Sequence, residues 1–169
     1  MQTARKLMTV VGGLLLSHVA VASDLNKNDT EYLQKTAQGV MSEVKLGEMA
    51  QKQAADERVK QFGKRMVDDH GKDLQNIRQL ATQKHVTLPD GPDKEQSKEA
   101  DKLAKLSGAD FDKEYVKYEA KDHKDDVKEN GKTMKKALDP DVKKFASAEY
   151  QTVSEHKKVI DDLHSQLSK

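Results

Sequence analysis

Three histidines and one glutamate are the residues of this chain whose types and spacing suit metal chemistry. His70 follows two aspartates in KRMVDDHGKDL, residues 64–74, yet it shares a helical face with apolar side chains. At about 100° per residue, with Phe62 at zero, Met66 falls near ~40°, His70 near ~80° and Leu74 near ~120°. The same construction puts His156 in the stripe of Val142, Val153, Ile160 and Leu163, and His123 in the sector of Val116, Ala120, Val127 and Met134. Glu43 lies at the edge of another stripe, among Thr36, Gly39, Gly47, Ala50 and Ala54, small residues that let a helix or a ligand come close.

One carboxylate and three imidazoles in a core suit a mononuclear Zn, Cu or Fe ion, because imidazole is a borderline ligand for all three. Asp69 or Glu119 is placed to orient a histidine from behind. The plainer reading carries more weight at this level: buried histidines satisfied by Glu43, Asp69 or Glu119, forming a polar network that sets helix register.

Other chemistries lack their motifs. A ferritin-type di-iron centre needs two Glu-x-x-His pairs, and the chain contains none. There is no His-Glu-x-x-His, no phosphate-binding glycine loop and no Gly-x-Ser-x-Gly elbow. With no cysteine, thiol catalysis and disulfides are excluded. His85 and His164 sit near helix ends, where a cation complements the helix dipole. The methionines, Tyr115 and Tyr118 read as packing residues.

The elements that must position these residues are helices. Aromatics make up 4% of the chain and charged residues 35%, with Ala, Lys, Leu, Glu and Gln abundant, which predicts an all-α protein. The periodicity predicts a first helix over about residues 29–54 and a second from the break at AADE to KHVTLPDGP. A third runs from Ser107 or Asp110 to about Leu138, and a fourth starts at Asp139-Pro140. Residues 85–107 read as a long polar connection containing a short helix around EADKLAKL. Glu43 and His70 are equidistant from the first break, and His123 and His156 from the Asp139-Pro140 turn, so antiparallel hairpins bring all four residues near mid-length. No internal repeat and no low-complexity tract is evident.

The N-terminus differs from the rest. Arg5 and Lys6 precede the apolar run LMTVVGGLLLSHVAVA, which closes on small residues, so residues 1–22 read as a secretory signal peptide and residues 23–169 as a single domain. An exported chain without cysteine suits a periplasm. After the leader no stretch is apolar enough to insert stably in a membrane. Basic and acidic residues are interspersed at a net charge of +1, which argues against a nucleic-acid partner. Mixed-sign runs read as solvated helix faces. A homodimer or an envelope protein partner through such a face is left open.

The ordered segments EVKLGEMA, VKQFGKRMVDDHGKDL, SGADFDKEYVKYEAKDH and KKFASAEYQTVSEHKKVI resemble a secreted bacterial family of domains of unknown function, family 4142. The resemblance spans about Tyr32 to Leu163. It implies a ferritin-like four-helix bundle exported to the periplasm or envelope; the long connection between helices two and three is read from the spacing of the helices themselves. The resemblance also implies that the family's Glu, Asp-His, His and His positions correspond to Glu43, Asp69-His70, His123 and His156. It implies no activity. The combined expectation is a non-catalytic binding or stress-related protein of the envelope. The alternative is a metal-binding protein or metal-dependent redox enzyme.

Overall fold

The computed structural model describes residues 25–167, so the stretch read as a signal peptide lies outside the described residues. Within them the chain is all-helical: α1 Lys27–Gln53, α2 Glu57–Gln83, α3 Lys94–Leu103, α4 Gly108–Lys136 and α5 Pro140–Leu167. No described helix is long and apolar enough to cross a membrane.

Local capping chemistry sets the ends. Asn26 caps α1, its side chain accepting from the Asp29 amide at 3.0 Å, so the helix starts two residues before the expected Asp29. Asp56 caps α2 and Asp139 caps α5, each accepting amides of the first helical turn. Pro140 follows at a position whose missing N–H costs nothing. Asp93 and Gln96 form a reciprocal capping box on α3. Ser107 occupies the cap position of α4 without a side-chain hydrogen bond. Past α2, His85 adopts a left-handed conformation (φ 56°), and Val86 N–H donates to the Ala81 carbonyl at 2.8 Å, closing a Schellman turn.

The helices pack as two hairpins, α1 on α2 and α4 on α5, which meet through α2 on α5 and α1 on α4. The connection after α2 is therefore a structured traverse rather than an open loop. It begins beside the start of α1, where Gln34 donates to the Thr87 carbonyl. It ends beside the last residue of α1, where Gln53 donates to the Leu103 and Leu106 carbonyls. α3 lies along this path.

The hairpins also repeat one another, which the sequence reading misses. At one constant spacing along the chain, Asp29 matches Asp112, Tyr32 matches Tyr115, and Ala54 and Asp56 match Ala137 and Asp139. Val59, Phe62, Ile77 and Leu80 match Val142, Phe145, Ile160 and Leu163. The correspondence is functional at the turns. Buried Asp29 accepts from the Leu138 and Asp139 amides, and buried Asp112 accepts from the matching Ala55 and Asp56 amides. Each hairpin thus ties down the other's turn. The repeat escapes notice because it is confined to turn and core positions while the solvated faces have diverged.

Two apolar clusters fill the interior. One contains Leu46, Phe62, Met66, Leu103, Phe111, Tyr115, Val116 and Ile160; the other contains Tyr32, Leu33, Ile77, Val142 and Ala146. Each fully buried large side chain contributes roughly 1.5–3 kcal/mol. Between the two clusters each of the four long helices contributes buried or half-buried polar residues, beside the buried Val40 and Val153. Glu43 lies there on α1, His70 and Asp73 on α2, Glu119 to Asp126 on α4, and Glu149 and His156 on α5. A polar belt therefore crosses the core at mid-length.

Candidate metal centre

His70 on α2, His123 on α4 and His156 on α5 are fully buried, and one nitrogen from each lies within 4.8 Å of the other two. Ring centroids are 5.0 Å apart for His70 and His156, 5.5 Å for His123 and His156, and 6.2 Å for His70 and His123. An ion about 2.1 Å from each nitrogen holds any two at most about 4.2 Å apart, so side-chain shifts of under about 1 Å close the site.

The tautomers are set from outside the trio. His123 Nδ1–H donates to the Glu119 carbonyl at 3.0 Å, one helical turn back, leaving Nε2 with a lone pair. His156 Nε2–H donates to Asp69 Oδ2 at 3.0 Å, leaving Nδ1 with a lone pair. Asp69 is itself held by Arg65 Nε at 3.2 Å, and Arg65 reaches Glu155 at 2.8 Å. Burial works against ionisation of Asp69, but His156 and Arg65 outweigh it and hold its carboxyl below the usual range. His123 Nε2, His156 Nδ1 and both nitrogens of His70 have no hydrogen-bond partner although they are buried.

Burial and the neighbouring His70 push the His123 imidazole down to about 3. The same two causes push His156 down to about 4, against the pull of Asp69. Both rings are therefore neutral and able to ligate at physiological pH.

Glu43 on α1 stands beside the trio, with Oε2 3.5 Å from His70 Nδ1 and Oε1 3.9 Å from His123 Nε2. The four sequence-predicted residues therefore meet in one place, and Glu43 is the outermost of them. Of the two expected orienting residues, Asp69 acts through its side chain on His156. Glu119 acts on His123 through its backbone carbonyl; its carboxylate Oε2 lies 3.4 Å from the same Nδ1 and burial raises its pKa well above normal.

The geometry is that of a helical chain with a histidine-rich interior, and the family whose model matches residues 15–163 is described as Domain of unknown function (DUF4142). The chain belongs to that family. No curated protein and no solved structure matches it.

The belt of this DUF4142 chain also contains acids that the sequence reading did not assign. Asp73 Oδ2 lies 3.3 Å from His70 Nδ1, and His70, Asp73 and Glu149 bring one ligand atom each within 4.8 Å. Glu43, Asp122 and Asp126 form a further group of the same tightness. Burial, reinforced by Asp122, pushes Glu43 up to about 8, and burial, reinforced by Asp73, pushes Glu149 up to about 9. Glu149 was legible, since it falls at the centre of the last helix's apolar stripe. Asp122 and Asp126 were not, because they sit in a mixed-charge run whose pattern is that of a solvated face. They are half-buried, and they line a cleft of about 640 Å³ whose other lining residues come mostly from α1 and α4.

Proposed function

We propose that this DUF4142 protein is a non-catalytic metal-binding protein of the bacterial envelope. Its long helices form a ferritin-like four-helix bundle around one Zn, Cu or Fe ion held by His70, His123 and His156, with Glu43 at the rim. The observation that carries the proposal is the set of inward nitrogens without partners. A network built only to hold register pairs its buried nitrogens, because an unpaired buried polar group costs about 1–3 kcal/mol. Here one nitrogen each of His123 and His156 donates to Glu119 or Asp69, as in histidines oriented for a metal, while the other nitrogen is buried without a hydrogen-bond partner.

The complete burial of the three rings supports holding an ion over presenting it to a substrate. Cu2+ should bind more tightly than Zn2+, and Zn2+ more tightly than Fe2+. Export rests on the reading of residues 1–22, and N-terminal sequencing of protein recovered from the envelope should find Ser23 first.

The deciding experiment is titration of metal-free protein, purified without a histidine tag, with Zn2+ and with Co2+ as a visible reporter. One submicromolar equivalent and tetrahedral Co2+ bands are expected. Loss of both in folded His123→Ala and His156→Ala variants supports the site. Unchanged affinity in those variants, or no binding by the parent protein, overturns it.

A further inference from the structure

We propose that Glu43, Asp122 and Asp126 form a second, oxygen-only site for a hard divalent cation, at the floor of the cleft between α1 and α4. Each contributes one carboxylate oxygen, and the three oxygens lie within 4.8 Å of one another. Hard cations take carboxylate oxygens at about 2.0–2.6 Å, so oxygens on opposite sides of an ion are about 4–5 Å apart. The spacing suits Mn2+ or Ca2+ with water completing the shell.

Besides the spacing, burial without a hydrogen-bond partner points to a cation. Glu43 is 3% exposed, and its Oε1 has no hydrogen-bond partner. Glu149 is 2% exposed, lines the same cleft, and has an unpartnered Oε1. Neither carboxylate forms an ion pair with a lysine or arginine among the described residues; Glu43 instead lies against the ring nitrogens of His70 and His123. The lysines that line the cleft, Lys35, Lys132 and Lys136, are exposed. The floor therefore gathers buried carboxyl oxygens that no lysine or arginine pairs.

Asp122 and Asp126 are four residues apart on α4, so both point the same way. Glu43 reaches them from α1 while its carboxylate also lies 3.5 and 3.9 Å from the His70 and His123 nitrogens. It stands between the two sites. The donor sets divide by softness, with carboxylates on the cleft side selecting Mn2+, Ca2+ or Mg2+ and imidazoles inside selecting Cu2+ or Zn2+.

The proposal shares Glu43 with the histidine site and is tested through Asp122 and Asp126, which that site does not use. Metal-free protein is titrated with Mn2+, and the free ion is followed by electron paramagnetic resonance. One bound equivalent is expected, weakened tenfold or more in the Asp122→Asn/Asp126→Asn double variant and retained in His123→Ala. Asp126→Asn alone serves if circular dichroism shows that the double variant does not fold. Absence of Mn2+ binding by the parent protein overturns the proposal, as does parental affinity in the folded aspartate variants or loss of Mn2+ only in His123→Ala. Co2+ bands recorded on the same samples report the histidine site separately, so either site can fail while the other stands.

Discussion

At the residue scale, the belt makes the metal-free protein sensitive to pH from both sides. His123 and His156 bind protons less readily folded, at about 3 and about 4, than an unfolded histidine does near 6.5. Their contribution to stability is complete above 6.5 and is lost as pH falls toward those values. Glu43 and Glu149, raised to about 8 and about 9 by burial, behave in the opposite sense. Their folded forms hold protons that the unfolded chain releases near 4.5, so their contribution is full below that pH and is lost as pH rises. Urea midpoints measured in chelator should therefore peak at mildly acidic pH and fall on both sides. Glu149→Gln removes one ionisable group from the alkaline limb, so it should raise stability at pH 8 by roughly 1–3 kcal/mol and change it little at pH 4.5. An unchanged alkaline limb would show that Glu149 does not carry a proton in the folded protein.

At the element scale, three positions control how the helices end and meet. His85 holds a left-handed turn at φ 56°, a conformation glycine adopts without strain. His85→Gly should leave secondary structure unchanged and raise the thermal midpoint, by about 0.5–1 kcal/mol in stability. Gly63 faces Gly47 across the α1–α2 hairpin, and a Cβ built there would stand 2.6 Å from the Ala50 Cβ and 2.8 Å from the Gly47 carbonyl. Gly63→Ala should part the hairpin and destabilise it by roughly 1–3 kcal/mol, read by denaturant unfolding, because both obstacles belong to the core or the backbone. Asp112→Ala removes the acceptor for the Ala55 and Asp56 amides and should cost about 2 kcal/mol. Loss of the exposed Lys64–Asp68 pair through Asp68→Ala should cost under about 0.5 kcal/mol. Equal effects of those two substitutions would refute the role of Asp112 as a tie between hairpins.

At the scale of the whole molecule, the belt interrupts an otherwise apolar core on four helices at one level, so an ion bound there couples both hairpins. A metal that binds only the folded state stabilises it by about 2.7 kcal/mol at a hundredfold excess over its dissociation constant. Zn2+ at that excess should raise the midpoint by about 5–10 °C, and the gain should vanish in a folded His70→Ala variant. A gain of the same size in that variant would place the ion elsewhere.

The sequence by itself determined the helices, because apolar period and capping residues act within one or two turns, and Asp56, Asp139 and Pro140 stop and start helices wherever the chain goes. It also determined that His70, His123, His156 and Glu43 face inward at mid-length, since face and depth follow from counting along each helix. It did not determine which hairpin faces meet, and that decides the site. Only packing brings α1 against α4 with a cleft between them, withdraws Asp122 and Asp126 from solvent, and turns a mixed-charge run into a ligand set. Only packing places Asp69 behind His156 and so selects its tautomer, whereas the Glu119 carbonyl behind His123 lies one turn back on the same helix. Tertiary contacts join residues far apart in the chain, and local periodicity has no information about them.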